Sequence, residues 1–262
     1  MSILNNIKNS PIGFFDSGVG GLTVLSKVKK LMPNESFIFY GDTAHVPYGE
    51  KTKEQLLEYS KPILKFFEQK KCKAVVMACN TTSSIIYNDI KGKYNFKIYP
   101  VVQSVAKMLA NLDVERLGVF ATKATIQSGA YEREISKYNK NIEIFGQFCP
   151  DWVKIVEENL IEDSKDSILK DLEKMLENKP QKIVLGCTHY PYLLNVLTEI
   201  IPRGMFIDPA DYLANIINND LVHSDENSTF EEFYVSANPE QFKTSAKMFY
   251  QLENIPQLKS FS

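Results

Sequence analysis

Two cysteines in this chain stand where α/β proteins do chemistry. Lys182-Ile183-Val184-Leu185 reads as a short, mostly apolar strand that runs into Gly186-Cys187-Thr188-His189-Tyr190-Pro191. Residues 74–83, Ala-Val-Val-Met-Ala-Cys-Asn-Thr-Thr-Ser, repeat the design with Cys79 at the strand's mouth. A continuous apolar run marks a buried parallel strand, and its carboxyl end is where open α/β sheets receive ligands. Three chemistries are open to such a pair. Zinc takes about four ligands at closed spacing, and Cys187 with His189 two residues on is a poor start. A redox disulfide between separate strand ends usually relies on a C-x-x-C pair, and Cys72, Cys79, Cys149 and Cys187 form none. The third is two-base proton transfer at a carbon acid. One thiolate removes a proton from one face while the opposite thiol delivers one to the other. Racemisation needs that symmetry, because the catalyst must work from either enantiomer.

The surrounding elements must bring the thiols face to face. Pro11–Phe15 reads as a strand, followed by Asp16-Ser17-Gly18-Val19-Gly20-Gly21 and a helix over about residues 21–31. Glycines permit close backbone approach, and a loop at a helix N-terminus suits a carboxylate or phosphate. A plain tight turn explains G-x-G-G equally well, and the pattern is neither a Rossmann nor a P-loop signature. Asp16 favours the functional reading, since a carboxylate at a strand's carboxyl end needs a reason to be there. Ser36–Tyr40 is a second strand leading to Gly41-Asp42-Thr43-Ala44-His45-Val46-Pro47-Tyr48-Gly49. Pro47 and Gly49 punctuate this loop, and Tyr48 between them either packs it onto the core or meets a substrate. His45 is expected at the surface rather than as a catalyst. A helix over about 53–70 precedes the Cys79 strand. The next helix is expected to begin at Ser83–Ser84, leaving Cys79, Asn80 and Thr81 at its N-terminus, where a thiol's pKa falls below about 8.5.

Farther on, Phe96–Val102 reads as a strand, Ser104–Asn111 as a helix, and Arg116–Ala121 as a strand ending in Thr122-Lys123-Ala124-Thr125. Ile142–Phe145 is another strand, and Cys149-Pro150 introduces a helix from Asp151 to about Leu160. Glu157 and Glu158 are neighbours on that helix, so at most one faces inward. A helix over Lys165–Glu177 leads to the Cys187 strand. Met205–Asp208 is a short strand, Pro209 starts a helix, Phe230–Val235 is a late strand, and Pro239–Leu252 is a final helix. Strands alternate with helices nearly throughout, which argues for mostly parallel sheets flanked by helices, an α/β fold. Two closely packed domains are expected: residues 1–100 with 209–262 crossing back to them, carrying Asp16 and Cys79, and residues 101–208, carrying Cys187.

Composition narrows the function classes. The 262 residues are 44% hydrophobic and 24% charged, with a net charge of −2, which gives no support for nucleic-acid binding. No apolar run approaches the roughly 18–20 residues that span a bilayer. Met1–Ser10 is polar and lacks the apolar core of a signal peptide. A cytoplasmic protein with free thiols is therefore expected, and Cys72 reads as an inert core thiol.

Four motifs now stand in register: Asp16-Ser17-Gly18-x-Gly20-Gly21, Pro47-Tyr48-Gly49, Ala78-Cys79-Asn80-Thr81 and Gly186-Cys187-Thr188-His189-Tyr190-Pro191. In order and spacing the chain resembles the glutamate racemases over nearly its whole length. The resemblance implies two pseudosymmetric α/β domains with the active site at their interface. It also implies a cofactor-independent enzyme, without pyridoxal phosphate or metal, that acts on glutamate and supplies D-glutamate for peptidoglycan. Under it Cys79 and Cys187 are the acid/base pair, Asp16 assists Cys79, and Glu157 with His189 serves the Cys187 side. Ser17, Pro47, Tyr48, Gly49, Asn80, Thr81, Thr122, Thr125 and Thr188, with Asp16 and His189, would hold the substrate. The family's Phe-Val-Pro-Leu-Val-Glu is here Trp152-Val153-Lys154-Ile155-Val156-Glu157, which puts Glu157 in register and leaves Glu158 as the alternative. Thr82 stands where alanine is more usual, a change expected to be tolerated. A homodimer is expected, with no nucleic-acid or membrane partner. An aspartate racemase is the nearest rival, and His189 favours glutamate because aspartate-type relatives usually carry a carboxylate there. A binding or redox-sensing protein on the same fold would not need acid/base groups on both faces.

Overall fold

Apolar four- to six-residue runs bounded by helices dictate the architecture. The computed structural model describes residues 8–225 and 228–261; the first seven residues, most of the polar start judged not to be a signal peptide, lie outside them. Strands β1 (Ile12–Asp16), β2 (Phe37–Gly41), β3 (Ala74–Met77), β4 (Lys97–Pro100), β9 (Glu231–Val235) and β10 (Gln257–Leu258) form one parallel sheet in the order β10-β9-β2-β1-β3-β4. Strands β5 (Arg116–Ala121), β6 (Glu143–Phe148), β7 (Lys182–Gly186) and β8 (Phe206–Ile207) form a second, in the order β6-β5-β7-β8. The β2-β1-β3-β4 order of the first recurs in the second. In each, the chain winds one way from the central strand and then the other, which opens a crevice between β1 and β3 and between β5 and β7.

The cores follow from this layering. Phe14, Phe37, Val76, Leu117, Val119 and Val184 belong to one large buried cluster that runs through both sheets. The helix over Pro209–Asp220 is part of it through Leu213, Ala214 and Ile217, and packs on the helices over Leu22–Leu31 and Val101–Ala110. A second cluster, with Phe15, Ile38, Leu64, Phe67, Val75 and Cys72, fills the other face of the first sheet. Cys72 is the inert thiol expected of it: burial pushes it up to about 12.

Several boundaries differ from the sequence reading. The Cys79 helix begins at Asn80, three residues early, because buried hydroxyl residues Thr81, Thr82 and Ser83 are tolerated in its first turns. Pro100 ends β4 and the following helix starts at Val101 rather than Ser104; β-branched Val101 and Val102 had read as strand. The helix bearing Glu157 covers only Trp152–Glu157, and Asn159, at φ 55°, turns the chain out of it. The final helix stops at Ala246, and the edge strand β10 was not anticipated. Among the described residues no helix is long and apolar enough to cross a membrane.

Candidate active site

Register places the chemistry. Phe15 pairs with Met77, so Asp16 and Cys79 leave adjacent strands at the same end, at the mouth of the β1/β3 crevice. Ala121 pairs with Gly186, so Thr122 and Cys187 leave β5 and β7 side by side. Asp16 is fully buried. Its Oδ1 accepts the Gly18 amide at 3.0 Å, while Oδ2 has no hydrogen-bond partner among the described residues. Burial raises the carboxyl to about 6, against the Gly18 bond and the nearby His189 charge. Gly21 has to be glycine here, since a Cβ would stand 2.5 Å from Cβ of Asp16.

Cys79 caps the helix over Asn80–Ile90 and is 5% exposed. The sequence reading expected a lowered thiol pKa at this helix N-terminus. Instead burial first, and then the Asp16 charge, push it up to about 11, and bonds from Thr82 and Ser17 only partly offset this. Loss of water outweighs the helix end. Thr82 is itself fully buried and donates its hydroxyl to the Cys79 carbonyl at 3.0 Å, so its departure from alanine is filled by a bond.

The Cys187 side is built differently. Nδ1 of His189 lies 3.7 Å from Sγ of Cys187, and Nε2 lies 3.0 Å from Oε1 of Glu157. Burial opposes a charge on His189, but its bonds to Cys187 and Glu157 and their charges prevail and raise it to about 10. Glu157 and Glu158 both line the cavity, but Glu157 is the half-buried one and the one bonded to His189, whereas Glu158 is exposed.

Hydroxyl and amide groups complete the walls. Thr122 lies 3.0 Å, oxygen to oxygen, from both Thr81 and Thr125, and the Thr81 contact ties the end of β5 to the helix that follows β3. Tyr131 donates to Asn80 Oδ1 at 2.7 Å across the same divide. Contacts between the sheets' loops are close elsewhere too: a Cβ on Gly20 would meet Thr188 Oγ1 at 2.2 Å, and one on Gly49 would meet Thr122 Cβ at 3.1 Å.

A cavity of about 450 Å³ lies between these loops. Ser17, Pro47, Tyr48, Gly49, Cys79, Asn80, Thr81, Thr122, Glu157, Cys187, Thr188 and His189 line it. Asp16 and Thr125, both buried, stand behind its surface rather than on it. Tyr48 packs edge-on against Phe15, as the core reading expected, and also faces the cavity. His45 is partly exposed and off the lining, as expected. Sequence reasoning did not single out Lys123, Phe148 and Lys154 in the lining; Lys123 shares the address of the threonines just after β5, while Phe148 ends β6 and Lys154 lies on the helix that bears Glu157.

The model of the Asp/Glu/hydantoin racemase family matches residues 21–217. The chain belongs to that family. A glutamate racemase of a Thermoanaerobacter species is 36% identical over 255 residues, covering 94% of this chain and 96% of that protein. A crystal structure of the Francisella tularensis glutamate racemase in complex with D-glutamate superposes with a TM-score of 0.84 at 30% identity, covering 97% of this chain and 98% of that one. The RacE1 isoform of Bacillus anthracis gives 0.85 at 26% identity, over 97% and 98%. Family membership and the two parallel sheets thus agree with the sequence reading. For a racemase fold of this kind, the informative feature is that its two thiols reach one cavity from two different sheets.

Proposed function

We propose that the chain is a cofactor-independent glutamate racemase in which Cys79 and Cys187 exchange the α-proton from opposite faces. The observation that carries this is the shared cavity, with one buried thiol from each sheet and hydroxyls between them. In one direction a thiolate takes the α-proton and the other thiol returns one to the opposite face; the reverse reaction exchanges their roles. His189, held charged by its bonds to Cys187 and Glu157, stands as the cationic donor beside Cys187 that stabilises a thiolate. Asp16, with a carboxyl raised towards neutrality and one free oxygen, stands by Cys79 as the partner that can accept or return charge. The α-proton of an amino acid is far less acidic than a thiol. Hydrogen bonds from Ser17, Asn80, Thr81, Thr122 and Thr188 to the substrate's charged groups, with Thr125 bonded behind Thr122, would therefore stabilise the carbanionic transition state. Exclusion of water from the cavity strengthens them.

On this reading residues 1–100 with 209–262 form one domain and 101–208 the other, with the site between them. The protein works in the cytoplasm as a homodimer, and its D-glutamate supplies peptidoglycan. Incubation with L-glutamate in D₂O without added cofactor should erase the optical rotation and place deuterium on the α-carbon. Change with L-aspartate alone would move the assignment to the related aspartate reaction; no change with either would sink the racemase reading.

The His189 pair gives a second expectation. Its folded pKa, about 10, lies above the ordinary 6.5, so the stability it contributes is fully present below about pH 6.5 and is lost as pH climbs towards 10. Glu157→Gln removes one of the two supports, so the loss should be complete at a lower pH than in the parent. Glu158→Gln should leave the profile unmoved. Urea midpoints between pH 6 and pH 10 decide this, and superimposable curves for Glu157→Gln and parent would contradict it.

A further inference from the structure

Asp42 has no part in the proton transfer described above, yet it is buried to 2% exposure directly behind the cavity wall. It follows β2, and its amide donates to the Asp16 carbonyl at 3.0 Å, so it is anchored to the strand that carries the site's carboxylate. Its side chain gathers the whole turn that follows. The Tyr48 hydroxyl donates to Oδ2 at 2.5 Å, and Nδ1 of His45 reaches both oxygens, at 2.9 and 2.8 Å. The His45 ring in turn lies flat on Tyr59, centroids 3.8 Å apart and planes 11° from parallel, and Tyr59 belongs to the rigid helix over Lys53–Gln69. The start of the turn is pinned separately: Thr43 exchanges bonds with Ala237, and the Ala44 amide donates to Ser236. What remains, Val46 to Gly49, is held by Asp42 and supplies the Pro47, Tyr48 and Gly49 stretch of the lining.

The hydrogen-bond inventory sharpens this. A phenol has one proton to donate, and in Tyr48 it is committed to Asp42. Burial and the Asp42 charge both keep that proton in place. The Tyr48 hydroxyl is therefore not available as a donor to a carboxylate in the cavity. Its contribution to substrate binding passes through the position of the turn.

We propose that Asp42 is a positioning residue for substrate: bonded to the Tyr48 hydroxyl and to His45, it fixes the Val46–Gly49 turn as a wall of the site. This rests on the glutamate-racemase reading for its substrate. Asp42 touches no reacting atom, so its removal acts on KM for glutamate and leaves kcat nearly unchanged.

The test is a double-mutant cycle in the full-length protein with Asp42→Asn, Tyr48→Phe and both together, each checked for native circular dichroism and melting temperature. A hydrogen bond to a buried charge supports a rise in KM of about tenfold for each single change, with kcat within about threefold. The double variant should be worse than the single ones by less than the product of their effects, because both changes act on the same Tyr48–Asp42 bond. Amide exchange at Glu50 and Lys51, which bond to the Pro47 and Tyr48 carbonyls, should quicken in all three variants. Single effects that multiply in the double variant would mean that the phenol meets substrate independently of Asp42, and would overturn the proposal. So would a lowered melting temperature with unchanged KM and exchange. If the parent failed to racemise glutamate, the substrate assignment would fall, while the exchange measurement would still decide whether Asp42 holds the turn. Tyr48→Phe is isosteric and keeps the cycle informative should Asp42→Asn fold poorly.

Discussion

Serine at position 79 or 187 should abolish racemisation of glutamate in both directions, with kcat falling by about three orders of magnitude or more. Positioned acid/base groups contribute roughly 10²–10⁴-fold each, and each turnover of this reaction needs both. A hydroxyl is the right size to leave the buried sites intact but is a far weaker acid than a thiol. The two variants should differ in their pH response. At position 79 the parent thiol is already pushed up to about 11 by burial and by Asp16, whereas at position 187 the loss also strips His189 of one of the groups that keep it charged. Cys187→Ser should therefore lower the pH at which His189 loses its proton, an effect visible in the imidazole resonances, and Cys79→Ser should not. Cys72→Ser is the control, because Cys72 lies in the outer core away from the cavity and should affect stability rather than rate. Racemisation surviving either active-site replacement to within tenfold would end the two-thiol reading.

Alanine at position 20 should be almost as damaging, without touching any ionisable group. The added methyl would stand 2.2 Å from the Thr188 hydroxyl and 2.8 Å from the His189 ring. The His189 ring has no room to yield: it is 3% exposed and is held at both nitrogens. Relief has to come from moving the Asp16–Gly21 loop away from the Cys187 loop, which widens the distance between the halves of the site. A misplacement of about 1 Å can cost about 10²-fold in rate, and overpacking of this kind costs about 1–3 kcal/mol in stability. Gly204→Ala is the matched control, since nothing lies within 4 Å of the methyl it would add. Equal activities for the two alanine variants would show that the close approach at Gly20 is not needed.

How much of this was legible beforehand depended on the kind of information. Strand ends were readable because apolar runs such as Ala74–Met77 and Lys182–Gly186 stop at residues with chemistry, and the structure puts those residues at the mouths of two crevices. Strand order was not, because nothing local in Arg116–Ala121 says that it lies between β6 and β7. The choice between Glu157 and Glu158 needed the third dimension; it turns on a single bond to His189. The sign of the Cys79 shift was misjudged because a helix N-terminus is visible in a sequence and complete burial is not. The role of Asp42 was hidden for the same reason: His45 and Tyr48 are three and six residues away, and their convergence on one carboxylate is set by the path of the turn.

The two sheets share a strand order, yet the groups beside their thiols are unlike, a buried carboxyl next to Cys79 and a paired imidazolium next to Cys187. Mirror-image substrates have equal free energies, so the equilibrium constant between them is one whatever the catalyst looks like. The ratio of kcat to KM must then be identical for the two enantiomers, and no inequality between the halves can alter it. Inequality can appear only as a trade: the enantiomer whose proton is taken more slowly at saturation must be bound correspondingly more tightly. A frame repeated with different side chains thus allows a chiral preference in occupancy while forbidding one in net flux at low substrate.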